Sequence, residues 1–85
     1  MKTLTYIITD SNGIHARPAG LLVKEAGKFE SKITIAKEGK TVDAKRIMAL
    51  MSLGVKMGHE VTLTIEGNDE EEAFTALERF LKENL

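Results

Sequence analysis

The sequence predicts an α+β fold: an open-faced β-sandwich in which a four-stranded antiparallel sheet carries helices on one face, in the order βαββαβα. Three observations predict it. Apolar and polar residues alternate with period two in several short segments, apolar residues recur at helical spacing in three others, and turn formers punctuate the boundaries. Amphipathic strands and helices bury their apolar faces most simply as two stacked layers. At 85 residues the chain is expected to be a single domain, 1–85, near the lower size limit for a self-sufficient core.

Leu4, Tyr6 and Ile8 alternate with Thr3, Thr5, Ile7 and Thr9, which predicts a first strand over residues 2–9. Asp10, Ser11, Asn12 and Gly13 form a turn cluster. Ala19, Leu22, Val23, Ala26 and Phe29 then mark a helix opening at about residue 16, with Pro18 placed where a helix tolerates a missing amide. Gly20 opposes that helix by up to about 1 kcal/mol relative to alanine. Ile33 and Ile35 belong to a second strand and Thr41 and Val42 to a third, joined through Glu38-Gly39 as a tight hairpin. Ile47, Met48, Leu50, Met51 and Leu53 crowd a short helix stopped by Gly54. Val61, Leu63 and Ile65 define a fourth strand. Ala73, Phe74, Leu77, Phe80 and Leu81 form the stripe of a last helix, whose start at Glu70, Glu71 and Glu72 is read as a solvated acidic first turn complementing the helix dipole.

Composition removes several functions. Cysteine is absent, so disulfides, thiolate metal sites and cysteine nucleophiles are excluded. Twelve basic against thirteen acidic residues leave no electrostatic footprint of a nucleic-acid binder. No apolar run reaches membrane-spanning length, which takes roughly 18 residues, and no secretory signal is visible at the N-terminus. A cytoplasmic location is expected. His59 has no second ligand at metal-binding spacing and is read as exposed in a turn; neither a metal nor a cofactor is expected.

Chemistry concentrates in Asn12-Gly13-Ile14-His15-Ala16-Arg17-Pro18-Ala19. An imidazole just before a helix N-terminus stands where free amides and the macrodipole favour negative charge. The same dipole disfavours an imidazolium, so a neutral ring able to attack phosphorus is expected at His15. A phosphate carried there would lie over the first helix amides, with Arg17 as its cationic partner. No nucleotide-binding glycine loop and no paired carboxylates accompany the histidine, which argues for a carrier rather than a stand-alone enzyme.

Gly13-Ile14-His15-Ala16-Arg17-Pro18-Ala19 resembles the active-site motif of the histidine-containing phosphocarrier protein family, HPr, of the bacterial sugar phosphotransferase system. Ile47-Met48-Ala49-Leu50-Met51-Ser52-Leu53-Gly54 resembles that family's second signature region. The resemblance covers essentially the whole chain. It implies that enzyme I, charged from phosphoenolpyruvate, phosphorylates His15 on Nδ1, and that the phosphate passes to the A domain of a sugar-specific enzyme II during sugar uptake. Arg17 would stabilise the phosphate, with the backbone of Ala16 and Arg17 binding it. Ala16, Gly20, Lys24, Ile47, Met48 and Met51 would form the docking surface.

On the short helix Leu50 and Leu53 are expected inward and Ile47 and Met51 partly outward. Lys24, Lys28 and Lys45 are candidates for steering acidic partners. Two departures from the family stand out. Gly20 replaces the usual alanine or other small residue. Arg46 occupies the position of a serine that a kinase phosphorylates in many Gram-positive members, so no regulatory serine exists there, and Ser52 is read as packing or helix-end hydrogen bonding. Alternative readings are an HPr-like carrier in a regulatory or dihydroxyacetone kinase phosphorelay, and a docking module that carries no phosphate. His15 argues against the second, because the family's non-carrier relatives lack that histidine. A monomer is expected, since exposed apolar residues here have a use in transient docking.

Overall fold

A computed structural model describes all 85 residues. It contains β1 (Lys2–Ile7), α1 (Ala16–Ala26), β2 (Lys32–Lys37), β3 (Lys40–Asp43), α2 (Ile47–Ser52), β4 (Glu60–Glu66) and α3 (Glu70–Asn84). The strands form one antiparallel sheet in the order β1-β4-β2-β3, so β4 and β2 are central and the terminal strand β1 lies at an edge. The expected βαββαβα sandwich is what the chain forms.

Period-two patterning decides which strand residues face the helices. Leu4, Ile33, Ile35, Val61, Leu63 and Ile65 point inward and are buried, and the register stacks Leu4, Leu63 and Ile35 in one row across β1, β4 and β2. Ala19, Leu22 and Ala26 from α1 and Ala73, Leu77, Phe80 and Leu81 from α3 complete this core. Each fully buried leucine or isoleucine contributes about 1.5–3 kcal/mol of transfer free energy. The opposite sheet face, with Thr3, Thr5, Thr34, Thr41, Thr62 and Thr64, carries no helix.

The β2–β3 hairpin closes through Glu38 and Gly39, both at positive φ (50° and 84°), the turn that matches strand twist. Lys37 and Lys40 face each other across it, an arrangement that like charges disfavour. Both ammonium groups are diverted to the C-terminal end of α2, Lys37 Nζ to the carbonyl of Gly54 and Lys40 Nζ to that of Ser52, each at 3.3 Å. Cations there also complement the negative end of the helix.

Asp69 ties the start of α3 to the α1–β2 turn. Its carboxylate accepts hydrogen bonds from the amides of Glu30 (2.8 Å) and Ser31 (2.9 Å) and from the buried Ser31 hydroxyl. The Ser31 hydroxyl and the Glu30 amide hold the Asp69 carboxyl below its ordinary range.

Three local expectations are corrected. β1 ends at Ile7 rather than Thr9, because the amides of Thr9 and Asp10 leave the sheet and donate to the carbonyl of Leu85 at the end of α3. Glu70 is not merely a solvated helix start: its carboxylate accepts from the Gly67 amide (3.1 Å) and the N-terminal amine (2.8 Å), which lowers its pKa. His59 is half-buried, its Nδ1 accepting from the Lys56 amide at 3.0 Å, so the ring closes its own turn instead of standing in solvent.

Candidate functional site

The residues before α1 are held by a close backbone crossing. Gly13 lies at φ 65°, and a Cβ built on it would stand 2.3 Å from the carbonyl oxygen of Val55 and 2.6 Å from Lys56 Cα. Only glycine fits there. The crossing lets the Ile14 amide donate to the same Val55 oxygen at 3.1 Å while the Ile14 side chain enters the core. The next residue, His15, is thereby delivered to the N-cap of α1 in an extended conformation, φ −109° and ψ −174°.

His15 uses its backbone carbonyl, not its side chain, to cap the helix, accepting from the Ala19 amide at 2.9 Å. The ring stays available, with 42% of its side-chain surface exposed. The amides of Ala16 and Arg17 donate to no protein group, and Pro18 has no amide to offer. Two unpaired donors at the positive end of an 11-residue helix make a compact anion seat. Arg17 is exposed and forms no ion pair, so its guanidinium is free for a bidentate contact with an oxyanion.

His15 and Arg17 line a cleft of about 270 Å³ together with Asp10, Pro18, Leu21, Glu83 and Asn84. Asp10 Oδ1 stands 4.0 Å from His15 Nε2. Sequence reading did not single out Asp10, Glu83 or Asn84. Asp10 was legible only as a turn former, and the two α3 residues reach the cleft because the end of that helix is tied to Thr9 and Asp10.

The expected docking residues divide between two helices that touch. Ala16, Gly20 and Lys24 recur every four residues along α1, one face of the helix. On α2, Leu50 and Leu53 are buried, whereas Ile47 (39%) and Met51 (40%) are partly exposed and Met48 (77%) is almost free. Gly20 meets Ile47, whose Cδ1 would lie 3.7 Å from a Cβ on the glycine. Met48 turns toward β3 and lines a groove of about 490 Å³ with Val42, Asp43, Arg46, Ile47 and Ala49. Methionine suits such an adaptable surface.

The cations sort differently from expectation. Lys24 is exposed and unpaired, but Lys28 is bound to Glu25 at 3.0 Å, and Lys45 Nζ donates to the Phe29 carbonyl at 2.7 Å. Lys28, and the Phe29 carbonyl that holds Lys45, follow the C-terminal end of α1, the end opposite His15, so neither cation serves the site directly. Arg46, at the N-cap of α2, is exposed without an acidic partner. The Ser52 hydroxyl donates to the Ala49 carbonyl at 2.6 Å, which is the helix-end hydrogen bond of the two roles read for it. On a wider scale, residues 13–56, which build α1, α2 and the β2–β3 hairpin, hold nine basic and four acidic side chains. The remainder holds three and nine.

A small open-faced sandwich that presents an uncovered imidazole at a helix N-terminus, over free amides and beside a free arginine, belongs to the class of phosphocarrier domains. The family model described as the phosphotransferase-system HPr component phosphorylation site matches residues 2–83. The chain belongs to the HPr family. Over 70 residues it is 54% identical to the HPr-like protein Crh of Halalkalibacterium halodurans, covering 82% of this chain and 83% of that protein. HPr-C-His of Thermoanaerobacter tengcongensis superimposes with a TM-score of 0.92 at 50% identity, over 96% of this chain and 92% of the other. Crh of Bacillus subtilis, whose crystal structure is described as a swapped-domain dimer, superimposes with a TM-score of 0.78 at 47% identity, over 89% and 87%. No helix is long and apolar enough to cross a membrane.

Proposed function

We propose that the protein is a cytoplasmic phosphoryl carrier that accepts phosphate on His15 Nδ1 from enzyme I and passes it to the A domain of a sugar-specific enzyme II. The observation that carries this reading is the pairing of an exposed His15 ring with the unpartnered Ala16 and Arg17 amides at the α1 N-terminus. In this mechanism the Nδ1 lone pair attacks phosphorus, and the transferred dianion settles over the two amides. Arg17 supplies charge-assisted hydrogen bonds to its oxygens. The seat is preorganised because Pro18 and the Gly13 crossing fix the entry to the helix. Ala16, Gly20, Lys24, Ile47, Met48 and Met51 form the surface on which donor and acceptor dock in turn, and the exposed methionines serve both.

The regulatory reading has one specific observation in its favour, the 54% identity to a protein named as Crh. The retained histidine and its free amides favour the carrier. Arg46 places a fixed positive charge where the family's regulatory phosphoserine would be negative, so control through that position does not operate. Incubation with enzyme I and phosphoenolpyruvate, followed by phosphorus NMR and intact mass, tests the proposal. One acid-labile phosphate, absent from His15→Ala, is expected; no transfer from competent enzyme I preparations would move the docking-module reading to the front. We infer that the carrier acts as a monomer, and light scattering that shows a dimer would overturn this.

A further inference from the structure

We propose that Asp10 is a positioning residue for His15: its carboxylate holds the imidazole in the tautomer protonated on Nε2, leaving the lone pair on Nδ1. This rests on the carrier reading above and adds to it a residue outside the resembling motif.

Asp10 Oδ1 faces His15 Nε2 at 4.0 Å, too far for a hydrogen bond but close enough for an anion to discriminate between an N–H and a lone pair. The carboxylate is held in place. The Asp10 amide donates to the Leu85 carbonyl at 2.8 Å, and Oδ1 accepts from the Asn12 amide at 2.8 Å. A lone pair on Nε2 would confront the anion, whereas an N–H there is attracted to it. The positive end of α1 acts in the same sense, since free amides favour a lone pair on the ring nitrogen nearer the backbone. Glu83 and Arg17 are the other charged groups lining this cleft.

Asp10 also follows the charge through the reaction. When the Nδ1 lone pair forms the bond to phosphorus, the bond from phosphorus to the donor atom breaks and its electron pair stays with the donor. Nε2 keeps its proton, so the ring gains one positive charge, which faces the Asp10 carboxylate, while the two negative charges of the phosphoryl group lie on the Nδ1 side, over the helix amides and Arg17. On transfer to the acceptor, the electron pair of the Nδ1–P bond returns to Nδ1 and the ring is neutral again. No proton need enter or leave at His15 in either half of the cycle.

Two variants separate charge from structure. Asp10→Asn keeps an oxygen that accepts from the Asn12 amide and so preserves the turn, while Asp10→Ala removes turn and charge together. Long-range proton–nitrogen correlation NMR on the labelled protein, at alkaline pH where the imidazoles are neutral, reads the tautomer of each ring. His59 is the internal reference, because its Nδ1 already accepts from Lys56. The expected result is a His15 ring predominantly protonated on Nε2, with the Nε2–H to Nδ1–H ratio falling roughly twofold in both variants and His59 unchanged, since charge–dipole attraction is weaker than charge–charge attraction. Phosphate acceptance from enzyme I should fall in Asp10→Asn by no more than the roughly twofold change in tautomer ratio, because the attraction of Asp10 for the ring cation and its repulsion of the phosphoryl dianion largely cancel in a water-like dielectric. A wild-type tautomer ratio in Asp10→Asn would overturn the proposal, as would an effect confined to Asp10→Ala. If the wild-type protein took no phosphate, the carrier reading would fail, and the tautomer ratio would still decide the role of Asp10.

Discussion

Replacing Gly13 by alanine tests whether the backbone crossing at Val55 and Lys56 is what delivers His15 to its helix. The perturbation has two separable parts. A left-handed conformation at φ 65° costs a non-glycine residue about 1–2 kcal/mol. The new Cβ would also stand 2.3 Å from the Val55 oxygen, about an ångström inside contact distance, so the two loop segments of the crossing must separate and the Ile14 amide lose its partner. An unsatisfied buried amide costs about 1–3 kcal/mol more. The sum, about 3 kcal/mol, is a large share of the 5–15 kcal/mol that is typical of a domain's total stability and corresponds to a fall in Tm of roughly 12–24 °C. Gly54→Ala is the matched control, because Gly54 has nearly the same φ, 63°, with nothing within 4 Å of its would-be Cβ. It should cost only the conformational part, about 1–2 kcal/mol or roughly 4–16 °C. Thermal and urea unfolding followed by far-ultraviolet circular dichroism measures both. If Gly13→Ala lost no more than Gly54→Ala, the crossing would not be the constraint described.

Gly20→Ala should stabilise the protein by about 0.5–1 kcal/mol in urea titrations, since alanine is the better helix former and its Cβ would meet Ile47 Cδ1 at an ordinary contact distance of 3.7 Å; a loss of stability would show that the α1–α2 contact needs the glycine. The lowered pKa of Asp69 means that its contribution to stability is complete above the ordinary carboxylate range and is lost as pH falls below it through the depressed folded value, and Glu70 acts in the same window. The urea midpoint of wild type should therefore fall more steeply over that acid range than the midpoint of Asp69→Asn, and parallel profiles would refute the assignment. Met48→Glu, at the most exposed apolar position of α2, should change stability by less than about 0.5 kcal/mol yet slow phosphate acceptance several-fold; unchanged transfer kinetics would remove Met48 from the docking surface.

Periodicity made the seven elements and the sandwich legible, because strand and helix faces are local properties of a sequence. The position of His15 before a helix was legible for the same reason, through Gly13 and Pro18. Other features depend on residues far apart in the chain. The early end of β1 follows from donors that turn to Leu85, and the Asp10 wall of the cleft from that same attachment. The engagement of Lys45 depends on the Phe29 carbonyl, and the half-burial of His59 on how its turn closes. None of these contacts leaves a repeating mark in the sequence. Asp10, visible only as a turn former, combines a local role in the Asn12 turn with a second one that appears only when the ring five residues later is seen beside it.

The segregation of charge between residues 13–56 and the rest gives the molecule an electrical polarity that its formal charge of −1 conceals. A body with almost no monopole still experiences a torque in the field of a charged neighbour. An acidic protein surface would turn the α1–α2 side toward itself before contact, and a basic one would turn it away. Productive encounters should accordingly slow with added salt over distances of about 8–10 Å, the Debye length near physiological ionic strength, even though isoelectric behaviour alone would suggest indifference.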